Sequence, residues 1–180
     1  MGVVFVSGDL FCRPRRFGAI AHGCNCAGAM GKGIAVAFRA AYPDMYTAYR
    51  AACASGALQP GGVFAWPASD GWVYNLGTQR SWRSRARLPD VRSALVQMLE
   101  HACAHGVPEV AMPLVGAGLG GLSPAEVQAV LVELSLRYPT DLVIFQRFKP
   151  GQVAAVVSSV GRMSGSVARS LLCEDGGAAA

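Results

Sequence analysis

The sequence has few charged residues and no long hydrophobic run, and both shortages limit what the protein can be. Only 15% of its 180 residues are charged, whereas 52% are hydrophobic. No window approaches the roughly 18 consecutive apolar residues of a membrane-spanning helix. The first residues, MGVVFVSGDLF, lack the basic segment and cleavage site of a signal peptide and indicate a strand. We therefore expect a folded chain that neither contacts a membrane nor is exported.

The six cysteines lack the spacing of a metal site or a redox motif. They stand at positions 12, 24, 26, 53, 103 and 173, without a CxxC pair. In a chain without an export signal, they indicate reduced thiols in the cytoplasm. His101, Cys103 and His105 suggest a metal site, but on a helix position 103 faces away from the other two, so only two ligands converge. The sequence predicts no metal and no cofactor.

Acidic residues are fewer than basic ones, which favours an anionic partner. Sixteen Lys and Arg against eleven Asp and Glu give a formal net charge of +5. Part of the excess lies in one short segment, where Trp82 stands among Arg80, Arg83, Arg85 and Arg87. Such a segment is either a solvated loop or a surface that contacts the phosphates and bases of a nucleotide or nucleic acid.

Hydrophobic strands alternate with amphipathic helices along the chain. Strands are predicted at 3–7, 18–22, 63–66, 72–76, 110–112 and 142–145. A first helix is predicted to begin over 34–38 and to be interrupted by Pro43, and further helices are predicted at 44–56, 89–106 and 123–138. Asp44 is expected to cap the second helix, and Ser123 with Glu126 to form a capping box. This alternation is typical of an α/β fold with a mixed, mostly parallel sheet between helices. We expect a domain over 1–148 and an extension of unknown role over 149–180, which is an added helix, a strand with a helix, or partly disordered.

Two glycine-rich loops each follow a strand and precede a helix. They are HGCNCAGAMGKG at 22–33 and GAGLGG at 116–121. Glycine lets a phosphate approach backbone amides, and the helix N-terminus behind the loop adds partial positive charge. Neither loop contains the GK[ST] of a P-loop, and GAGLGG lies too late in the chain for a dinucleotide fingerprint, which disfavours a nicotinamide-dependent oxidoreductase. The loops favour a diphosphate held from both sides at the carboxyl ends of the strands.

Four motifs together resemble the macrodomain family. They are GDLF at 8–11, AHGCNCAGAMGKGIAVAFRAAYP at 21–43, YNLGTQRSWRS at 74–84 and MPLVGAGLGGL at 112–122. The resemblance is to terminal ADP-ribose protein glycohydrolases and to the antitoxin halves of DNA-ADP-ribosylating toxin–antitoxin pairs. It implies a three-layer α/β/α macrodomain fold that binds ADP-ribose, and an enzyme that hydrolyses an ADP-ribosyl bond on DNA or protein. A monomer is expected, and a toxin is a candidate partner.

The resemblance also implies which residues contact the ligand. Asp9 matches the aspartate that accepts a hydrogen bond from the adenine amino group, beside Leu10, and Phe145 matches an aromatic residue at the nucleoside end. Asn25 matches an asparagine near the distal ribose. Taken alone, Asp9 fits a turn cap, Asn25 a loop residue and Phe145 a core residue equally well. The loop residues that match the diphosphate site are Gly31, Lys32, Gly33 and Ile34 in the first loop and Val115, Gly116, Ala117, Gly118, Leu119, Gly120 and Gly121 in the second.

The sequence differs from the hydrolysing members of this branch at the position of their catalytic lysine. Gln79, in GTQR, stands where the hydrolysing members have a lysine, and Gly120 stands where one group of them has an aspartate. A glutamine amide cannot ionise and is a poor nucleophile. We therefore expect water to attack the ribose with help from the substrate's own diphosphate, while Asn25 holds the ribose hydroxyls and Gln79 polarises the water or the leaving group. His22 either titrates near neutrality as a catalytic residue or is a hydrogen-bonded structural residue.

The arginines after Gln79 indicate the substrate. Arg80, Trp82, Arg83 and Arg85 follow the segment that borders the distal ribose in this branch. Arginines there attract the phosphates that flank a modified nucleotide, and Trp82 offers a ring for an exposed base. ADP-ribosylated DNA is therefore the first expectation and ADP-ribosylated acidic side chains the second. A module that binds ADP-ribose without hydrolysis is the alternative function, because the lysine is missing.

Overall fold

The structure is a computed structural model that describes residues 1–12 and 17–162. Within these ranges the chain forms seven strands and four helices. Each strand and helix predicted before residue 149 is present, although its ends differ from the prediction. The strands are β1 (Gly2–Gly8), β2 (Ala19–Asn25), β3 (Val63–Ala68), β4 (Gly71–Gln79), β5 (Glu109–Pro113), β6 (Asp141–Phe148) and β7 (Ala155–Gly161), and the helices are α1 (Ile34–Ala41), α2 (Pro43–Ala54), α3 (Leu88–Ala104) and α4 (Pro124–Ser135).

The strands form one mixed sheet in the order β3-β4-β2-β5-β6-β1-β7. The inner strands pair in parallel, whereas the edge strands β3 and β7 run antiparallel to their neighbours. Consecutive side chains of a strand face opposite sides of the sheet. In β1, Val3 and Phe5 belong to the core that α3 and α4 complete, whereas Val4 and Val6 belong to the core that α1 and α2 complete. The three-layer α/β/α architecture expected from the sequence is therefore confirmed.

Two expectations about helix ends are corrected. Because Pro43 takes the first helical position of α2, the N-cap is Tyr42, and Asp44 lies inside the first turn, where its carboxylate faces the positive end of the helix. Ser123 is the N-cap of α4, but its side chain makes no cap hydrogen bond within the described residues, so the expected capping box is absent there. None of the described helices is both long and apolar enough to cross a bilayer.

Strand β7 comes from the segment that the sequence placed in an extension. It pairs along β1, from Gly161 opposite Gly2 to Ala155 opposite Ser7. All of its residues are exposed, so it widens the sheet without adding to the core. Its sequence lacks the polar–apolar alternation that predicts a half-buried strand. Residues 163–180 lie outside the described residues, and the domain boundary at residue 148 stays a prediction.

Candidate functional site

A cleft of about 580 Å³ opens where three parallel strands end. Strands β2, β4 and β5 are neighbours and run in the same direction, so their carboxyl ends meet at one edge of the sheet. Both glycine-rich loops line this cleft, as expected, and Trp82 joins them from the segment after β4. The lining residues are Gly23, Cys24, Asn25, Ala29, Gly31, Lys32, Gly33, Ile34, Ala35, Thr78, Gln79, Trp82, Pro113, Leu114, Val115, Gly116, Gly118, Leu119 and Gly120.

The side chain of Asn25 shapes the start of the first loop. Its Nδ2 donates to the carbonyl of Ala29 at 2.6 Å, and its Oδ1 accepts from the amides of Ala27 and Ala29 at 3.0 and 3.3 Å. The hydroxyl of Tyr49 donates to the Asn25 carbonyl at 2.5 Å. Asn25 is 7% exposed and lines the cleft. The structure therefore supports its loop-shaping role directly, and its contact with a ribose stays a prediction.

The first loop ends at the N-terminus of α1, which faces the cleft. Gly33 is the N-cap and has a φ of 60°, a conformation that glycine adopts without strain. Within the described residues no side chain caps this helix, so its first amides are available to an anion. Lys32 is exposed and is the only lysine or arginine among the described residues that line the cleft. This wall therefore fits the expected diphosphate.

The second loop is shaped by its own backbone. Gly116 has a φ of 80°, and its carbonyl accepts from the amide of Leu122 at 3.0 Å. A Cβ on Gly120 would lie 2.6 Å from the Gly116 carbonyl oxygen and 2.8 Å from the Cβ of Ala86, whereas a Cβ on Gly118 would meet nothing within 4 Å. The aspartate that some of the branch carries in place of Gly120 would therefore require a different loop here.

The two loops approach each other across the cleft through Leu119. This side chain is 74% exposed, and its Cδ1 lies 3.3 Å from the position of a Cβ on Gly33. An apolar group at the tip of the second loop thus sits against the N-cap glycine of the first. The sequence assigned Leu119 only to a backbone contact, since a leucine in a glycine-rich loop gives no signal of its own.

Gln79 lies at the end of β4, opposite Asn25 in the pairing of β2 with β4. Its carbonyl accepts from the amide of Cys26 at 2.9 Å, and its half-buried side chain lines the cleft. Thr78, which the sequence did not single out, also lines the cleft, and its hydroxyl donates to the Cys24 carbonyl at 3.2 Å. The position that carries lysine in the resembling branch is therefore in the cleft, with a neutral amide.

The cleft contains little ionisable chemistry. Among the described lining residues, the side chains that can ionise are Lys32 and Cys24. Burial raises the pKa of the Cys24 thiol well above its usual value, so the thiol stays protonated at neutral pH. The described lining therefore offers no carboxylate, imidazole or thiolate to deprotonate a water.

His22 is in the core and not in the cleft, which corrects the catalytic expectation. The imidazole is 0% exposed, stacks on Phe38 with ring centroids 4.0 Å apart, and hydrogen-bonds through Nε2 to Oδ1 of Asn75 at 2.9 Å. Burial lowers the pKa of His22 to about 4. The ring is therefore neutral at physiological pH and does not reach a ligand in the cleft. Of the two interpretations of His22 from the sequence, the structure fits the hydrogen-bonded structural residue.

The three residues expected at the nucleoside end lie outside the cleft lining. Oδ1 of Asp9 accepts from the amide of Phe11 at 3.0 Å, and Oδ2 accepts from the amide of Gly151 at 3.1 Å. Leu10 is buried, and Phe145 is buried with its ring edge against Phe17. Asp9 and Leu10 follow the end of β1, and Phe145 lies within β6; both strands are on the side of β5 away from Gln79. Their ligand contacts stay predictions.

The arginine cluster is divided between two places. Trp82 is 62% exposed and lines the cleft, with the guanidinium of Arg83 at 6.0 Å from its ring centroid. Three other arginines line a second cavity of about 400 Å³, which we call the arginine groove. The described residues that line the arginine groove are Gln59, Pro60, Gln79, Arg80, Ser84, Arg85, Arg87 and Asp90.

The histidine pair on α3 has a structural role. The rings of His101 and His105 stack with centroids 3.9 Å apart, and both contact the ring of Trp72 edge-on. The hydroxyl of Tyr74 lies 3.0 Å from Nδ1 of His101. Cys103 is exposed, and among the described residues no group of three or more His, Cys, Asp or Glu side chains could hold a metal ion.

Comparisons with known proteins agree with this geometry. A family model described as Macro domain matches residues 21–131. The chain is 33% identical to the DNA ADP-ribosyl glycohydrolase of Mycobacterium tuberculosis over 148 residues, which is 79% of its length. It is 28% identical to a DNA ADP-ribosyl transferase–glycohydrolase fusion protein of Thermosipho africanus over 158 residues, which is 77% of its length. It covers 42% and 39% of these two relatives, so it spans about two fifths of their length. The solved macrodomain of Mycobacterium tuberculosis DarG matches with a TM-score of 0.73 and 31% identity, over 82% of this chain and 97% of that one.

Proposed function

The chain belongs to the macrodomain family, and we propose on this basis that it binds ADP-ribose in the cleft and hydrolyses the bond between ADP-ribose and DNA. The observation that carries the proposal is the convergence of two glycine-rich loops on one cleft that ends at Gln79, beside the arginine groove. The relatives named as DNA ADP-ribosyl glycohydrolases support both the reaction and the substrate.

The diphosphate of ADP-ribose lies between the two loops. The uncapped N-terminus of α1 and the ammonium of Lys32 face it from one wall, and the amides after Val115 face it from the other. The distal ribose then points toward Asn25 and Gln79, and the adenosine points toward the ends of β6 and β1. This orientation places the bond to be cut at the side of the cleft where Trp82 and the arginines begin.

Hydrolysis in this cleft depends on the substrate as well as the protein. The bond between C1″ of the distal ribose and the DNA base breaks, and its electron pair leaves with the base. A water oxygen attacks C1″, a diphosphate oxygen takes the water proton, and the base receives a proton from solvent. The protein holds the reactants in position and stabilises charge, because the described lining has no group to act as the base.

This activity requires a transferase that places ADP-ribose on DNA. The Thermosipho africanus relative, which is named as a fusion of such a transferase with a glycohydrolase, supports a transferase as partner. The partner acts through the shared substrate, so the proposal needs no stable contact between the two proteins.

The experiment compares release of free ADP-ribose from an ADP-ribosylated single-stranded oligonucleotide and from an acidic peptide ADP-ribosylated on its carboxylates. We expect faster release from the oligonucleotide. Release from the peptide alone would replace DNA with protein as the substrate. Binding of ADP-ribose without release from either would make the protein a reader, the function that the neutral Gln79 otherwise favours.

A further inference from the structure

The arginine groove adjoins the cleft at the point where the cut bond is placed. Gln79 lines both cavities. If the distal ribose lies at Gln79, the molecule to which it is bonded extends from there into the groove or into solvent. The groove begins directly after β4, with Arg80, and ends at the first turn of α3, with Asp90. It is therefore a candidate site for the part of the substrate that is not ADP-ribose.

The arginines of the groove differ from other arginines of the protein in their ion pairs. Elsewhere, Arg92 makes two 2.7 Å hydrogen bonds with Glu133, and Arg137 lies 2.8 Å from the same carboxylate. In the part of the chain that the structure describes, Arg80, Arg85 and Arg87 make no such pair, although they share the groove with Asp90. Three unpaired guanidinium groups around one carboxylate leave a net positive surface for an anion.

The start of α3 adds to this positive surface. Arg87 is the N-cap residue, and within the described residues no side chain caps the 17-residue helix, so the amides of its first turn, other than that of Pro89, which has no N–H, keep their hydrogen-bonding capacity. The partial positive charge of the helix N-terminus therefore adds to that of the arginines.

The groove is held in a fixed position beside the cleft. The amide of Ala86, between two of the arginines, donates to the carbonyl of Gly120 in the second loop at 3.0 Å. The hydroxyls of Ser81 and Ser84 lie 2.9 Å apart, and the Ser84 amide donates to the Ser81 carbonyl at 3.1 Å. The segment that carries the arginines is thus bonded both to itself and to the wall of the cleft.

We propose that the arginine groove binds backbone phosphates of the DNA strand next to the modified nucleotide, and that Trp82 stacks on a neighbouring unpaired base. This inference rests on the proposed function and adds to it a binding site for the strand beside the modified nucleotide. Guanidinium groups bind phosphates and carboxylates alike, but an exposed indole beside them favours a nucleic acid over an acidic peptide. Arg83 does not line the groove and contributes through the Trp82 ring.

The test measures kcat/KM on two substrates, an ADP-ribosylated single-stranded oligonucleotide and the corresponding ADP-ribosylated nucleoside, which has no flanking phosphate. The variant is Arg85→Ala with Arg87→Ala. The matched control is Arg39→Ala with Arg50→Ala, which removes the same charge from arginines that lie near the Tyr46 ring and line neither cavity. The ratio of kcat/KM on the oligonucleotide to kcat/KM on the nucleoside is the readout.

We expect this ratio to fall about tenfold in the groove variant and to stay unchanged in the control. The slope of log KM for the oligonucleotide against log salt should also fall by about 1.4, which corresponds to two lost phosphate contacts on a single strand. An unchanged ratio and slope would overturn the inference, as would a preference for the same lesion in duplex DNA or in an acidic peptide. Absence of release from both substrates by the unaltered protein would instead refute the proposed function.

Discussion

The two glycine-rich loops look alike in the sequence, but the structure builds them in different ways. The first is shaped by a side chain, since the amide of Asn25 bonds to Ala27 and Ala29, and Gly31 has open space where a Cβ would be. The second is shaped by backbone packing, since a Cβ on Gly120 would overlap the Gly116 carbonyl. Gly31 in the first loop leaves room for a ligand, whereas Gly120 in the second leaves room for the chain itself.

Introducing the same side chain into each loop tests this comparison, and the largest effect is expected at Gly120. Gly120→Asp should lower the free energy of unfolding by about 3 kcal/mol, because Cβ overlaps two neighbouring groups. For a chain of this size that corresponds to a Tm lower by about 6–12 °C. Gly31→Asp should change stability by less than about 0.5 kcal/mol. Thermal unfolding of both variants measures the two changes in Tm. Equal decreases in Tm would contradict the claim that the two loops are built differently.

His22, on the strand that precedes the first loop, should make the free energy of unfolding depend on pH. The pKa of His22 falls from 6.5 to about 4 on folding, so between these values the unfolded chain binds more protons than the folded one. Stability therefore falls as pH decreases below 6.5, by about 2 kcal/mol between pH 7 and pH 5. Denaturant unfolding at both pH values should show this contribution in the parent protein and not in His22→Gln. The same pH dependence in the variant would refute it.

A charge at the open glycine of the second loop should weaken ligand binding without unfolding the protein. Gly118 lines the cleft and has nothing within 4 Å of a Cβ, so a longer side chain fits there. Gly118→Glu should weaken ADP-ribose binding about tenfold more than the isosteric Gly118→Gln, because its carboxylate repels the diphosphate. Calorimetric titration at low and high salt measures the difference, which salt should reduce. Equal affinities of the two variants for ADP-ribose at low salt would show that the diphosphate does not bind near Gly118.

The smallest effect is expected at Gln79. This residue joins the first loop through its backbone carbonyl, which an alanine keeps. Gln79→Ala should therefore leave ADP-ribose affinity unchanged and lower kcat less than damage to either loop does, because a neutral amide is neither a base nor a good nucleophile. Single-turnover release from ADP-ribosylated DNA measures kcat separately from binding. Complete loss of turnover with intact binding would give the amide a direct chemical role.

Much of the fold could be predicted from the sequence because it depends on local patterns. Apolar runs such as 142–145 and the 3-and-4 spacing of 89–106 mark elements that the structure contains, and the glycine-rich loops after two strands mark the cleft. Strand β7 is the exception. It is exposed on both faces, so it lacks the periodicity by which a strand is recognised.

The parts of the site that could not be predicted depend on residues distant in the chain. His22 is buried because Asn75 and Phe38 surround its ring. Trp82 lines the cleft whereas Arg80, Arg85 and Arg87 line the groove, and the amide of Ala86 bonds their segment to Gly120 of the second loop. In both cases the residue type suggested the chemistry, but the tertiary contacts decide whether the side chain reaches the cleft.

The two backbone amides that bond the carboxylate of Asp9 have a thermodynamic consequence. One amide comes from Phe11 nearby, and the other from Gly151 in the turn that leads into β7. A carboxylate held at both oxygens has lost its rotational freedom before any ligand arrives. A nucleoside that bonds to Asp9 would then bind with a smaller entropic penalty. Removing residues 149–161 would take away the bond from Gly151 and leave only that from Phe11, so a nucleoside that bonds to Asp9 would then bind with a larger entropic penalty.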